Sequence, residues 1–482
     1  MTLTLQQMEQ CVQVLRIIRE DVTQIDDHHE LKKLIADIHR KGRKHSRKRA
    51  QELRQPEPMT GHVETEPDNN DREETEKPEA LPFKCYVCKV PLKERSDAYA
   101  VLCPACAEFN LQKRRQSVSL SGCTALVTGG RIRIGYQVAL KLLRWGARVI
   151  VTTRFPCDAA VRFAGETDFS AWSQRLHIHG LDLRDLSAVQ RFTDALNEEY
   201  KALEIVINNA AQTVRRPPAY YAHLLDRERR AGQDLPQQVA GVLANRSYHA
   251  PPEQKSLRTD SLTRLSIPSE QGRGMLTQET PMWSAAELSQ IPLLAEDNSD
   301  GERWFPKGQL NEFGEQLDLR PKNSWLTPIE EVTNPEMAEV MCVNVMAPFM
   351  LLRGLHPILK RSYFPRKFVV NVAAREGQFA GHWKSPSHPH TNMGKAALNM
   401  LTRTIGASWA QDEIYVTSVD PGWVSEQRPL PETGHDPTSE YPIPLDAEDG
   451  AARILDPIYL GLRQDERPYH GILLKDFRPV AW

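Results

Sequence analysis

The stretch Ala125-Leu-Val-Thr-Gly-Gly-Arg-Ile-Arg-Ile-Gly135 runs from an apolar strand into a glycine turn. Ala125, Leu126 and Val127 are a short apolar run of the kind a buried strand uses. Thr128 to Gly135 hold Gly129, Gly130 and Gly135. Tyr136 to Trp145 read as a helix, with apolar Val138, Leu142 and Trp145 and a stop at Gly146. A strand that feeds such a turn and then a helix gathers free backbone N–H groups at the helix start. The helix dipole makes that point attractive to phosphate. The pattern therefore predicts the phosphate-binding start of a dinucleotide fold, without saying what chemistry is done there.

Working outward, 482 residues exceed one ordinary domain. The chain is 40% hydrophobic and 26% charged with a net charge of −2, so nothing global attracts it to nucleic acid or to an anionic membrane. No unbroken run of 18 apolar residues occurs, so no spanning helix is expected. The start, Met-Thr-Leu-Thr-Leu-Gln-Gln, lacks the basic and apolar regions of a signal peptide. These features point to an intracellular, cytoplasmic protein.

Residues 1–54 read as a helical hairpin or coiled coil, with Leu5, Met8, Val12, Leu15, Ile18, Val22 and Ile25 at steps of three and four. Their tail, Lys41 to Arg49, is strongly basic and is read as a solvated helix end, with a nuclear address as the alternative. Residues 55–81 are an acidic, Pro-rich stretch expected to be a flexible linker. Residues 82–112 carry Cys85-Tyr-Val-Cys88 and Cys103-Pro-Ala-Cys106, fourteen residues apart. Two such knuckles suit one tetrahedral zinc ion held by Cys85, Cys88, Cys103 and Cys106. The metal would be structural, since four thiolates leave no open position. Cys11, Cys123, Cys157 and Cys342 are read as packing residues. The helices or the zinc module could bind a protein partner.

From residue 120 to 482, apolar strands alternate with helices. Strands are expected at Arg148–Thr153, Leu176–Leu181, Leu203–Asn208, Phe368–Val372 and Tyr415–Val419, and helices at Leu186–Asn197, 335–354 and 391–411. That order predicts an α/β fold, a doubly wound parallel sheet covered on both faces. An insertion at about 214–330 breaks it, with no clear periodicity and with tryptophans at Trp283, Trp304 and Trp325.

These residues resemble the short-chain dehydrogenase/reductase family, whose Rossmann-type domain binds NAD(P). Thr128, Gly129, Gly130, Arg131, Arg133, Ile134 and Gly135 are similar to the family's TGxxxGxG turn, with Arg133 at the middle glycine. Asp182-Leu183 resembles the adenine contact, and Asn208-Asn209-Ala210-Ala211 the NNAG that ends the fourth strand. Asn344 falls at the helix asparagine, Lys395 at the active-site lysine, and Pro421-Gly422 at the turn that closes over nicotinamide. The resemblance implies hydride transfer with a carbonyl, alcohol or activated alkene, and dimers or tetramers are common in the family. The second strand ends Thr152-Thr153-Arg154 with no carboxylate, and Arg154 suits a 2′-phosphate, so NADP is expected over NAD.

The proton-transfer half of the site departs from the family. Thr391 stands where the tyrosine of YxxxK belongs, and Ala373-Ala374 where the serine pair belongs. The dienoyl-CoA reductases of the family are similar in having a small hydroxyl residue at the tyrosine. Substitute donors are His382, His388, His390, Glu376, Tyr220 and Tyr221, with His390 preferred because it adjoins Thr391. Two functions follow: an NADP-dependent oxidoreductase with a non-standard proton donor, or a weak or inactive NADP-binding scaffold or sensor. Nucleic-acid binding through the basic run is the weakest alternative.

Overall fold

A computed structural model describes residues 83–94, 96–244, 248–249, 284–298, 301–380, 384–430, 442–463 and 467–482. The chain divides into two units, Met1–Lys77 and Pro78–Trp482, and all described residues belong to the second. The expected N-terminal helices, basic run and acidic linker lie outside the described residues, as do Cys11, Trp283 and His382.

The elements are α1 (Pro104–Arg115), β1 (Thr124–Thr128), α2 (Arg133–Arg144), β2 (Arg148–Thr153), α3 (Pro156–Ala164), β3 (Leu176–Gly180), α4 (Leu186–Glu199) and β4 (Ile205–Asn208). Then come α5 (Pro218–Asp234), α6 (Asn334–Met341), α7 (Ala347–Lys360), β5 (Lys367–Val372), α8 (Pro389–Trp409), β6 (Ile414–Asp420), α9 (Ala447–Arg463), β7 (Leu473–Lys475) and β8 (Arg478–Val480). The sheet order is β3-β2-β1-β4-β5-β6-β7-β8. All pairs are parallel except the β7–β8 edge. The order reverses between β1 and β4, and in such sheets a ligand crevice opens at the carboxyl ends of those two strands.

The strands are continuous apolar runs because both faces are covered. Along β1, Ala125 and Val127 point to one core with Val138 and Leu142 of α2 and Ile454 and Ile458 of α9. Leu126 points to the other, with Val189 and Phe192 of α4 and Leu351 and Leu355 of α7. The alternation repeats in β2, where Val149 and Val151 oppose Ile150. Asn334–Lys360 is by length and composition apolar enough to cross a membrane, the one such run among the described residues. Here it covers the sheet, with Leu351, Leu352, Leu355, Ile358 and Leu359 all buried.

Two local features differ from the sequence expectation. The helix after the glycine turn starts at Arg133 rather than Tyr136, which brings its first N–H groups into the turn. A π-helical turn, Cys342–Met346, separates α6 from α7 inside the stretch read as one helix, and Asn344 sits in it. Such bulges re-aim a side chain at functional sites. The insertion contains α5, whose Tyr220, Tyr221 and Leu224 pack with Phe155, Ala286 and Phe305. Among its described side chains the buried ones, Tyr220, Tyr221 and Leu224, lie in the first turns, and the charged Asp-Arg-Glu-Arg-Arg sequence follows, so the helical period is short and easily missed.

The cysteine-bearing segment packs on the sheet domain. Tyr99, Val101, Leu102 and Ala107 share a core with Val424 and Leu445, and Ile134 of the glycine turn lies against it. Lys113 pairs with Asp456 at 2.6 Å, and Arg453 donates to Asn110 at 2.7 Å, joining α1 to α9.

Candidate functional site

The glycine turn is shaped by backbone constraints. Gly129 has φ of +70°, and a Cβ there would stand 3.0 Å from Ala210. A Cβ at Gly135 would fall 2.2 Å from the Gly129 carbonyl oxygen and 2.4 Å from Asn209 Nδ2, so only glycine fits. Arg133 also takes a left-handed φ, +56°. The family glycine is thus replaced by arginine at a position where a side chain costs on the order of 1 kcal/mol. Thr128 Oγ1 accepts the N–H groups of Asn209 and Ala210 at 3.0 and 3.1 Å, and Asn209 Nδ2 donates to the Thr128 carbonyl at 3.0 Å. Thr128, Gly129, Asn209 and Ala210 therefore form one hydrogen-bonded unit across β1 and β4.

A crevice of about 390 Å³ opens beside it, at the switch point of the sheet. Gly129, Arg131, Arg133, Ile134 and Gly135 form one wall, and Arg154, Asp182, Leu183, Arg184, Asn209 and Ala210 continue it. Of the expected cofactor residues, Thr128, Gly130, Lys395, Pro421 and Gly422 do not line it directly, although Ser425 and Gln427 beyond the Pro421-Gly422 turn do. The insertion supplies Val214, Arg216, Tyr220, Tyr221 and Glu315. Glu315, missed by the sequence reading, holds Arg133 at 2.8 Å and Arg131 at 3.3 Å. Its carboxylate bridges two arginines of the turn. No local motif marks it, because the contact spans over 180 residues.

The five arginines of the crevice are not equivalent. Arg131 pairs with Asp158 at 2.9 Å, Arg184 with Asp182 and Glu339 at 2.7 Å each, and Arg216 with Asp318. Arg154 has no carboxylate within ion-pair distance among the described residues. Its Nη2 donates to the Tyr221 hydroxyl at 2.8 Å, and its guanidinium lies 4.5 Å from the Tyr221 ring. The Asp182 carboxyl is held below its usual range: burial opposes this, but Arg184 and Arg154 outweigh it.

Towards the other end lie the residues matched to the proton-transfer site. Asn344 accepts the Gln212 N–H at 2.7 Å and donates to the Gln212 carbonyl at 2.9 Å, next to crevice-lining Val343. A Cβ on Gly394 would lie 3.2 Å from Asn344, so α8 packs closely against the π turn. Lys395 is buried and donates to the Val372 carbonyl at 2.8 Å. Burial lowers its amine to about 8, against the pull of Glu376 and Asp420. The Thr391 hydroxyl is buried without a hydrogen-bond partner. His390 is buried with Nε2 3.2 Å from Glu336 and Nδ1 unpartnered. His388 stacks on Trp325 at 4.1 Å and contacts Asn392 at 3.1 Å. Tyr220 and Tyr221 lie at the Arg154 end of the crevice, and burial pushes the Tyr220 phenol above its ordinary value. Trp304 packs beside Tyr220 and Tyr221. Beneath the site runs a buried polar chain that sequence reading did not find. Asn208 donates to Asn371 and Asn371 to Thr402, each at 2.8 Å, and Thr402 meets Ser418 at 2.8 Å.

A second cluster lies in the knuckles. The ligand atoms of Cys85, Cys88, Cys103 and Cys106 lie within 4.8 Å of one another, and the Cys88 and Cys103 sulfurs are 3.7 Å apart. Four sulfurs about 2.3 Å from a tetrahedral ion would be ~3.8 Å apart, so the donor set fits such an ion. None of the four is in a disulfide.

Comparison with known proteins agrees with this architecture. A family model described as short chain dehydrogenase matches residues 123–224, and one described as enoyl-(acyl carrier protein) reductase matches residues 321–434, on either side of the insertion. A protein of Acanthamoeba polyphaga mimivirus, uncharacterized protein R665, is 28% identical over 403 residues, covering 78% of this chain and 71% of its own. Human carbonyl reductase [NADPH] 3 is 35% identical over 95 residues, which is 19% of this chain and 33% of that protein. Human retinol dehydrogenase 13 is 35% identical over 95 residues, which is 19% of this chain and 28% of that relative. The structure of NADPH-bound carbonyl reductase from chicken fatty liver is 16% identical, with a TM-score of 0.42, over 75% of this chain and 100% of that one. With the glycine turn, the Asn209-Ala210 unit and the eight-stranded sheet in place, residues 123–224 and 321–434 identify the sheet domain as similar to the short-chain dehydrogenase/reductase family.

Proposed function

We propose that the crevice holds NADP and that the chain transfers a hydride between it and a carbonyl, an alcohol or an activated alkene. The observation that carries the cofactor choice is Arg154. It directly follows β2, where a carboxylate would bind the ribose hydroxyls of NAD, and among the described residues it faces the crevice with no ion-pair partner. A 2′-phosphate would give it a charge-assisted pair. Human carbonyl reductase [NADPH] 3, similar to this chain over 95 residues, is named for the same cofactor.

When bound, the nicotinamide supplies or takes the hydride. The chain's residues would do the rest. The turn from Gly129 to Gly135 presents backbone N–H groups and Arg131 and Arg133 to the pyrophosphate, displacing Glu315. Lys395 would hold the ribose, and Asn344 fixes the Gln212 backbone at the crevice. For the proton, Tyr220 and Tyr221 stand at the Arg154 end and do not serve. His390, paired with Glu336 beside Thr391, remains the donor this reading assigns. The four cysteines would hold a structural zinc ion.

The competing role, a nucleotide-binding scaffold, is favoured by the unpartnered Thr391 hydroxyl and by Ala373-Ala374, which offer no phenol and no oxyanion donor. Steady consumption of NADPH over a panel of carbonyls and enoyl esters separates the two. Turnover lost in Lys395→Met supports the enzyme. Tight NADPH binding with no turnover on any substrate supports the scaffold.

A further inference from the structure

We propose that Tyr86, between the two cysteines of the first knuckle, is a positioning residue for the dinucleotide crevice, so that the metal held by the four cysteines sets cofactor affinity. This rests on the reading of the crevice as an NADP site. The Tyr86 hydroxyl oxygen accepts the backbone N–H of Trp423 at 2.9 Å. That N–H belongs to the turn after β6, whose Gly422 has φ of +86° and no room for a Cβ beside Leu445, and the Tyr86 hydroxyl lies in van der Waals contact with the same position. Two and four residues further on, Ser425 and Gln427 line the crevice. Ser425 accepts from Arg133 of the glycine turn at 3.0 Å, and its carbonyl takes the Trp423 indole N–H at 3.1 Å. One short segment thus has the crevice on one side and the knuckle on the other.

The knuckle fixes Tyr86 in turn. Its N–H donates to the Val101 carbonyl at 2.8 Å, the Cys85 N–H to Val90 at 2.8 Å, and the Cys103 N–H to Cys85 Sγ at 3.4 Å. Lys89 lies over the Tyr86 ring at 4.7 Å. These contacts close around four thiols, and a cation is what holds four thiolates together. Without it the knuckle opens, Tyr86 withdraws, and the Trp423 N–H loses its acceptor.

Geometry also says which half of the ligand should feel the loss. Arg154 follows β2 and the segment follows β6, four places along the sheet, about 19 Å at the spacing of adjacent strands. Adenosine 2′,5′-bisphosphate reaches Arg154 without spanning that distance, whereas NADPH spans it. The test compares wild type, Tyr86→Phe, and wild type stripped of metal by a chelator. Each is titrated with both ligands, and amide exchange is followed over residues 421–427. Tyr86→Phe should keep its metal and its affinity for the bisphosphate, weaken NADPH binding about three- to tenfold, as loss of one hydrogen bond implies, and speed exchange in the segment. Stripped wild type should show at least the same NADPH loss, restored by Zn²⁺ alone. Unchanged NADPH affinity and exchange in Tyr86→Phe overturn the proposal, as does an equal loss for both ligands, which marks a general defect of the fold. A wild type that binds neither ligand overturns the crevice reading instead, and the exchange rate still reports whether Tyr86 holds the turn.

Discussion

Lys395 and Thr391 show how far a single residue can be read. The lysine keeps its place one helical turn from the threonine, yet its neighbours are now the Val372 carbonyl and the charges of Glu376 and Asp420. Burial favours the neutral amine, so the ammonium is present below about 8 and is lost as pH rises through that value, well short of the ordinary 10.5. Turnover that needs the ammonium should therefore fall on the alkaline side of about 8. In Lys395→Arg, whose guanidinium stays charged, any residual activity should show no such limb; a pH–rate profile from 6 to 10 reads this, and an alkaline limb retained in the variant would contradict it. Thr391 was legible as a departure because the motif fixes its position. What its hydroxyl meets was not, since the packing of α8 against the π turn depends on Gly394 and Asn344, fifty residues apart in sequence. In the sequence only its adjacency to Thr391 marks His390, and no local pattern shows its pairing with Glu336, fifty-four residues away.

At the scale of elements, the strand, glycine turn and helix were legible because their residues are local and their constraints steric. Gly135→Ala must push a methyl into the Gly129 carbonyl, and overpacking of this kind costs about 1–3 kcal/mol. A lower urea midpoint with unchanged slope would register it, while a variant as stable as wild type would show that the turn can shift. The insertion was not legible, because its crevice contacts are made by side chains far apart in the chain. Glu315 is the sharpest case. Its carboxylate sits on Arg131 and Arg133, so a phosphate must compete with it. Glu315→Gln removes that competition and should tighten NADPH binding about three- to tenfold at low salt, with the gain shrinking as salt screens the arginines. Calorimetric titration at two salt concentrations would measure it, and weaker binding in the variant would mean that Glu315 orders the arginines for the ligand.

For the whole molecule, the cysteine-bearing segment and the sheet domain share a core. Tyr99 donates to Asp449 at 2.6 Å, Phe109 meets Phe477 edge-on at 5.5 Å, and Val424 and Leu445 lie among Leu92, Val101 and Leu102. The sequence showed the knuckles but not this docking, which rests on apolar residues without a motif. If the four cysteines hold a metal as proposed, stripping it should accordingly lower the main thermal transition of the protein, by about 1–2 °C for each 1–2 kcal/mol lost in a domain this size. A main transition that stays in place while a small early one disappears would mean that the segment folds alone. The crevice between β1 and β4 is the proposed NADP site, and Arg154 is its most specific contact. NADPH and NADH should be titrated into wild type and Arg154→Ala. Wild type should prefer NADPH, and the variant should lose about 10- to 100-fold in NADPH affinity with NADH little changed, as expected for one charge-assisted contact. Equal affinities for NADPH in the two proteins would contradict it.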